Sequence, residues 1–376
     1  MTRKILFLTG TRADFGKIKS LVEVVEDTPG FEAFVFVTGM HLQQEYGYTL
    51  VEIERCGFSN IDTFENHTDE ATMDLTLART IEGFSAYCRK VCPDLIVVHG
   101  DRVETLAGAI VGSLNNILVA HVEGGELSGT VDELIRHSVS KLSHIHFVSN
   151  QDAARRLIQM GETESSVLVI GSPDIDIMFS GNLPDLDTAK RYYDIDFADY
   201  AVAMFHPVTT ESTHMEQYAE AFADALLADD HRYIIIYPNN DLGSKHIVRA
   251  YSRLSDRARF RIFPSLRFEY FLTLLKNAQF IIGNSSAGIR EAPYYGIPVI
   301  NIGTRQQNRA LHAHILNTGY DFGSILEALQ LVDGHEILTP GTGFGDGNSA
   351  RMFMESLQKG DIWQLNHQKQ FRNLDF

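Results

Sequence analysis

Short apolar and β-branched runs recur along the chain, each followed by a turn and then by apolar residues at helical spacing. In the first half these runs are Lys4–Leu8, Ala33–Thr38, Leu95–His99, Leu118–Val122, His146–Ser149 and Val167–Ile170. Helical periods fall near residues 15–28, 70–91, 103–114, 131–143 and 151–160. The runs are mostly continuous rather than alternating, as expected of parallel strands covered on both faces. Strand and helix in alternation predict an α/β doubly wound sheet. The pattern restarts in the second half with Ala201–Phe205, Tyr233–Tyr237, Phe260–Phe263, Phe280–Ile282 and Val299–Ile302. It is weakest around Gly171–Tyr200, where SGNLPDLD forms a turn cluster, so the domain boundary is expected there. We therefore expect two Rossmann-like domains, residues 1–175 and 176–349, with a C-terminal helix over 350–376 packing back on the first. Facing each other across a cleft, they would hold a ligand at the carboxyl ends of their strands.

Composition narrows the function. Of 376 residues, 44% are hydrophobic and 22% charged, which excludes a disordered or collagen-like chain. With 32 Lys and Arg against 49 Asp and Glu, the formal charge is −17. That argues against nucleic acid and anionic membrane as partners, but leaves room for a small anion held by a few local donors. No apolar stretch reaches the ~18 residues of a membrane span. The opening MTRKILFLTGTRAD breaks too early for a signal peptide. Three cysteines, Cys56, Cys88 and Cys92, suit a reducing cytoplasm. Cys88 and Cys92 would share a helical face, but no second ligand pair accompanies them, and no metal site is expected.

Candidate chemistry collects after the strands. The first loop, Thr9-Gly10-Thr11-Arg12-Ala13-Asp14, offers Arg12 to an anion or, equally, to Asp14. It is not G-x-G-x-x-G, and no G-x-x-x-x-G-K-[ST] occurs, so neither dinucleotide nor P-loop chemistry is indicated. His99-Gly100-Asp101-Arg102 and His121-Val122-Glu123-Gly124-Gly125-Glu126 each place an acid beside glycine at a strand end. Either acid alone could cap a helix; two from neighbouring strand ends form a plausible acid/base set. Thr130-x-x-Glu133 reads as a capping box opening a helix. Its buried face is expected at Val131, Leu134, Ile135, Ser138, Val139 and Leu142, with Asp132 and Arg136 on another. In the second half, His206 ends a strand beside Pro207, and Asn240 and Phe268 follow two more. Phe268 could stack on a flat ring or simply fill core. The segment Gly283-Asn284-Ser285-Ser286-Ala287-Gly288-Ile289-Arg290-Glu291 reads as strand, turn and helix start, a natural anion site with Glu291 one and a half turns in. Arg305 offers another cation to the same edge.

These motifs together resemble a known family. TGTRADFGK (9–17), VTGMHL (37–42), HGDR (99–102), HVEGGELSGTVDELIRHSVSK (121–141), FHPVTT (205–210), YPNND (237–241), GNSSAGIREAP (283–293) and NIGTRQ (301–306) occur in the order found in UDP-N-acetylglucosamine 2-epimerases. That family shares the two-domain architecture of GT-B glycosyltransferases. HVEGGELSGTVD and FHPVTT read like the hydrolysing branch, which makes N-acetylmannosamine for sialic acid synthesis.

The resemblance implies that Arg12, His206, Ser285, Ser286 and Glu291 hold UDP, with Phe268 near the uracil. It also places Asp101, Glu123 and Asp132 as acid/base carboxylates around the sugar, with His41 facing that pocket. Asp14, Arg102, Asn240, Asn284, Gly288 and Arg305 complete the expected binding set, and His206 joins the catalytic one. Which carboxylate removes the sugar C2 proton stays open. Neither metal nor nicotinamide is expected. The expected partners are UDP-N-acetylglucosamine and UDP, in a stand-alone cytoplasmic homodimer or homotetramer. A hydrolysing relative acting on a 2,4-diacetamido-6-deoxy sugar, the non-hydrolysing branch and a GT-B glycosyltransferase are the competing readings.

Overall fold

The computed structural model describes residues 2–67, 72–128, 130–255, 258–306, 315–332, 343–370 and 372–373. The chain divides into two compact units. The first comprises Met1–Glu126, Asp132–Gly181 and Gly343–Phe376; the second comprises Leu127–Val131 and Asn182–Thr342. Residues 70–71 of the first long helical period, Gly129 of the SGTVDEL run, and 371 and 374–376 of the expected last helix lie outside the described residues.

In the first unit the strands are β1 (Arg3–Thr9), β2 (Phe31–Val37), β3 (Ile61–Thr63), β4 (Leu95–His99), β5 (Leu118–Val122), β6 (Ile145–Val148) and β7 (Val167–Val169). They form one parallel sheet in the order β3-β2-β1-β4-β5-β6-β7. Its helices are α1 (Arg12–Glu26), α2 (Leu50–Glu54), α3 (Met73–Val91), α4 (Val103–Leu114), α5 (Val131–Leu142), α6 (Gln151–Gln159) and α7 (Pro173–Phe179). In the second unit, helix α8 (Leu186–Tyr192) precedes β8 (Ala201–Met204), β9 (Tyr233–Ile236), β10 (Phe260–Phe263), β11 (Ile281–Gly283), β12 (Val299–Ile302) and β13 (Ile315–Thr318). These strands form a parallel sheet ordered β10-β9-β8-β11-β12-β13. Among them run α9 (Met215–Ala228), α10 (Ser244–Ser252), α11 (Phe268–Lys276), α12 (Glu291–Tyr294) and α13 (Phe322–Val332). The chain closes with α14 (Ser349–Lys359), assigned to the first unit.

Strand order reverses direction once in each sheet, between β1 and β4 and between β8 and β11. Crossover helices leave to opposite faces there, and the loops part to open a crevice at the carboxyl ends. The central strands are buried throughout, so their polar neighbours are displaced to those ends.

The core of the first unit joins Phe7, Val97, Ala120 and Phe147 of the sheet to Ile18, Leu21 and Val22 of α1 and to Phe353, Met354 and Leu357 of α14. Phe353 is fully buried, its ring centroid 4.8 Å from Phe147 and 6.4 Å from Phe7. The last helix is shorter than expected. Gly360 takes a left-handed conformation at φ 86°, which ends α14 and turns the chain into a short 3-10 segment. Beyond it, Lys369 donates to the carbonyls of Lys141 and Ser143 at the C-terminal end of α5 and to Glu162.

Five further elements escape the pattern: β3, β13, the five-residue α2, α7 and α8. Strands β3 and β13 are half-exposed edges without a continuous apolar run. Helices α7 and α8 are two-turn helices inside the stretch read as weakly patterned. On α5 the expected buried face is wrong at Leu134, which is 66% exposed, while Arg136 and Ser140 are buried beside Ile135 and Val139. Arg136 finds a charged partner there in Asp101. Cys92 is not on a helical face shared with Cys88: it follows α3 in a left-handed cap and is exposed, whereas Cys88 is buried.

Truncating Phe353 to Ala should cost about 3–5 kcal/mol of stability, because α14 cannot collapse onto the rings it leaves. A urea midpoint within error of the parent's would show that α14 contributes little to this core.

Candidate active site

In the first unit, loop β1–α1 is fastened by its own residues. Asp14 and Thr11 form a reciprocal capping box at the start of α1. The Asp14 carboxylate also accepts from Gly10 N at 3.0 Å and from the Thr9 hydroxyl. Burial pushes the Asp14 carboxyl up, against these hydrogen bonds. The Thr9 hydroxyl proton goes to Asp14, so Thr9 Oγ1 accepts from His41 Nε2 at 3.0 Å. His41 Nδ1 then accepts from Thr49 Oγ1 at 2.7 Å. His41 is thus a buried, neutral ring bonded on both sides. Burial and the Arg12 guanidinium hold its pKa down to about 3. Arg12 itself opens α1, with Nη2 3.9 Å from Glu52 Oε1.

The ends of β4 and β5 meet across hydrogen bonds. Gly100 N donates to Val122 O at 3.0 Å, and His121 Nε2 donates to Gly100 O at 2.8 Å. A carbonyl only accepts, so the His121 proton sits on Nε2 and Nδ1 accepts from Ser140 Oγ at 3.0 Å. Burial holds His121 down to about 3.

Glu123, immediately after β5, takes a left-handed backbone at φ 63°, which is costly for a residue with a side chain. Its N–H is held by Phe147 O at 2.9 Å. The turn aims its carboxylate at His99, whose Nε2 lies 3.1 Å from Glu123 Oε2. Ser172 donates its hydroxyl to Glu123 Oε1. Lys17 Nζ lies 4.0 Å from Glu123 and 3.0 Å from Asp174. Glu123, Lys17, His99 and Asp174 are all buried.

Asp101 follows β4 and accepts from the buried Arg136 of α5, whose Nη1 also reaches Glu126 O at 3.4 Å. Arg136 thus bonds an acid 35 residues away in the chain. Asp132 stands half-buried in the first turn of α5. Arg102 is the residue before α4, with Nε 3.8 Å from Glu104. Glu133, read as a cap, lies 3.8 Å from His137.

In the second unit Asn284 is the hub. Its Oδ1 accepts from His206 N at 2.6 Å and its Nδ2 donates to His206 O at 2.8 Å. Its backbone N–H donates to Met204 O at 3.0 Å, and its carbonyl accepts from Gln306 at 2.8 Å and Arg305 at 3.3 Å. One amide therefore ties together the ends of β8, β11 and β12. Gly283, just before it, has φ 136°, and a Cβ there would fall 1.9 Å from Met204 O. His206 Nδ1 accepts from Asn239 N at 3.0 Å, so the neutral ring carries its proton on Nε2 as a donor.

Ser285 caps a 3-10 turn, Ser286–Gly288, by accepting from Ala287 N at 3.3 Å. Glu291 is not one and a half turns into a helix. It is buried at the first residue of the four-residue α12, because the 3-10 turn takes the place of the helix start. Gly288 packs on β12, where a Cβ would meet Val299 at 2.9 Å. Asn240 lies half-buried after β9, and Phe268 opens α11 with its ring stacked 6.5 Å from Phe271.

The acids at the β4 and β5 ends thus belong to the first unit, and the His206–Asn284–Ser285 group to the second. Sequence reading passed over Lys17, Ser172, Asp174 and Gln306. Lys17 had a legible signal, a lysine four residues before Leu21 on the apolar face of α1. Among the described residues no group of three His, Cys, Asp and Glu side chains is arranged to hold a metal ion, and no helix is long and apolar enough to cross a membrane.

Comparison with known proteins bears on this arrangement. The family model for UDP-N-acetylglucosamine 2-epimerase matches residues 23–358. The chain is 45% identical over 376 residues to a UDP-N-acetylglucosamine 2-epimerase of Neisseria meningitidis serogroup B, covering 99% of this chain and 100% of the relative. It is 32% identical over 364 residues to a UDP-N,N'-diacetylbacillosamine 2-epimerase (hydrolyzing) of Legionella pneumophila, covering 95% and 96%. Its fold matches a Methanocaldococcus jannaschii UDP-GlcNAc 2-epimerase, solved with UDP-GlcNAc and UDP, at a TM-score of 0.82 and 20% identity, covering 95% of this chain and 100% of that one.

The two buried histidines give a pH dependence with a definite sign. His41 and His121 titrate near 3 when folded and near 6.5 when unfolded, so between those values the unfolded chain binds more protons. Their contribution to stability is complete above about pH 6.5 and is lost as pH falls toward 3. Urea midpoints should therefore decline from pH 7 to pH 5, and His121→Gln should flatten the slope; equal slopes would refute the neutral buried ring.

Proposed function

We propose that this chain, which belongs to the UDP-N-acetylglucosamine 2-epimerase family, is a hydrolysing 2-epimerase that converts UDP-N-acetylglucosamine and water to N-acetylmannosamine and UDP. The observation that carries this is the pair of acids, Asp101 and Glu123, set by rigid hydrogen bonding at neighbouring strand ends of the first sheet. Carboxylates so fixed suit acid/base work on a sugar, one moving a proton and the other supporting it.

In the reaction, the C2–H bond breaks as a carboxylate takes the proton, and the C1–O bond breaks as UDP leaves with the electron pair. The product is a 2-acetamidoglucal with a C1=C2 double bond. Water then adds its oxygen to C1, and a proton is delivered to C2 from the face that inverts it. Glu123 and Asp132 are proposed for proton transfer, with Asp101 in support.

His206, Ser285 and Ser286 are proposed to hold the pyrophosphate with Arg12, Glu291 the ribose hydroxyls, and Phe268 the uracil. The Nε2 donor of His206 and the Ser285 turn fit an anion. Asp14, His41, Arg102, Asn240, Asn284, Gly288 and Arg305 are proposed to complete the binding set. The named substrate of the 45% relative supports UDP-N-acetylglucosamine, and the hydrolyzing activity named for the 32% relative supports release of free sugar. Supply of N-acetylmannosamine to sialic acid synthesis follows from the same reading. The 32% relative also favours a second substrate, a UDP-linked 2,4-diacetamido sugar.

Incubation with UDP-N-acetylglucosamine in deuterated water should give UDP and N-acetylmannosamine carrying deuterium at C2, read by proton NMR. UDP-N-acetylmannosamine as product would make the chain non-hydrolysing, and turnover of the diacetamido sugar alone would select the second substrate. Asp101→Asn and Glu123→Gln should each bind UDP with parental affinity and lose about 10²-fold or more in kcat. Full activity in both would overturn the proposal.

A further inference from the structure

Lys17 interrupts the apolar face of α1 and is only 8% exposed. A buried ammonium needs an anion at hand, and here two are in reach. Asp174, 0% exposed at the start of α7, lies 3.0 Å from Lys17 Nζ, and Glu123, 4% exposed, lies at 4.0 Å. The same short segment serves both partners, because Ser172, two residues before Asp174, donates to Glu123. The groups facing Glu123 are Lys17 of α1, His99 of β4, the neutral His121 of β5, Ser172, and Asp174 of α7. Two carboxylates thus compete for one ammonium, and the nearer one is Asp174.

We propose that Asp174 is a positioning residue for proton transfer: it holds Lys17 and draws its charge away from Glu123, which stays basic enough to exchange a proton with the substrate. This rests on the reading above that Glu123 moves a proton, but the electrostatic link is measurable without turnover. Removing the Asp174 charge would hand the ammonium to Glu123, and an opposite charge at that range lowers a carboxyl's titration midpoint by about 1–3 pH units. The lost basicity should appear in kcat and not in binding, because neither Lys17 nor Asp174 is among the proposed UDP contacts.

The test follows the Glu123 carboxyl by carbon-13 NMR of glutamate-labelled protein, the resonance being the one absent from Glu123→Gln. Asp174→Asn should lower the Glu123 midpoint by about 1 pH unit or more, and Lys17→Gln should raise it. In Asp174→Asn, kcat at neutral pH should fall about 10-fold or more, with its acid-side limb moved to lower pH and KM and UDP affinity unchanged. Asp174→Glu should recover most of the loss. A Glu123 midpoint that does not move in Asp174→Asn overturns the proposal, as does a fall in UDP affinity that parallels kcat. Should Asp174→Asn fail to fold, the neutral pair Lys17→Gln/Asp174→Asn is compared with Lys17→Gln alone. The role of Asp174 through Lys17 requires that Lys17→Gln raise the midpoint and that the pair match it; no rise in Lys17→Gln, or a lower midpoint in the pair, overturns it. An inactive wild type with the expected midpoints would sink the reaction and keep the link; an active one with unmoved midpoints would do the reverse.

Discussion

The buried ammonium of Lys17 has to be matched by negative charge, and that requirement organises the edge of the first sheet. An uncompensated charge in this setting costs several kcal/mol, more than any single apolar contact nearby returns. Its two anions come from different parts of the chain: Glu123 after β5 and Asp174 at the start of α7. Helix α1, strand β5 and helix α7 are therefore held in one register by charge as well as by packing. The left-handed backbone of Glu123 belongs to the same arrangement, since it turns the carboxylate toward His99, Ser172 and Lys17. A strained residue is kept where surrounding bonds over-determine it.

The second sheet solves a similar problem mainly with a neutral amide. A side-chain amide both donates and accepts, and Asn284 uses both functions on the backbone of His206. Its own carbonyl takes donors from Gln306 and Arg305. No carboxylate enters these bonds, so the local field is left to the Arg305 cation and to donors such as the Nε2 proton of His206. A charged network suits proton transfer, and a neutral frame with outward donors suits holding an anion. In both sheets these groups gather where strand order reverses, the position at which loops diverge.

Legibility in the sequence followed burial. Central strands were plain because burial on both faces demands an unbroken apolar run; β4, β5 and β12 begin and end at the expected residues. Edges β3 and β13 carry no such demand and left no such run. Leu134 misled because periodicity counts apolar residues and cannot see that Arg136, bonded to Asp101 and Glu126 O, has a stronger reason to be buried. The bonds that fix the His41 ring, to Thr9 and Thr49, join segments 40 residues apart, and no local pattern records them.

By itself the sequence determined the two parallel α/β sheets, the identity of the acids and polar groups at their carboxyl ends, and, through its motifs, the family. These follow from local rules: apolar runs for buried strands, glycine where backbone turns tightly, and residue types bound to strand ends. Tertiary structure alone decided which of those groups meet. Lys17 with Asp174, Arg136 with Asp101 and Asn284 with His206 are pairings between segments 157, 35 and 78 residues apart, respectively, in the numbering of the chain. No periodicity records such a meeting, because the free energy that selects it is the compensation of a buried polar group by a partner that only folding brings near.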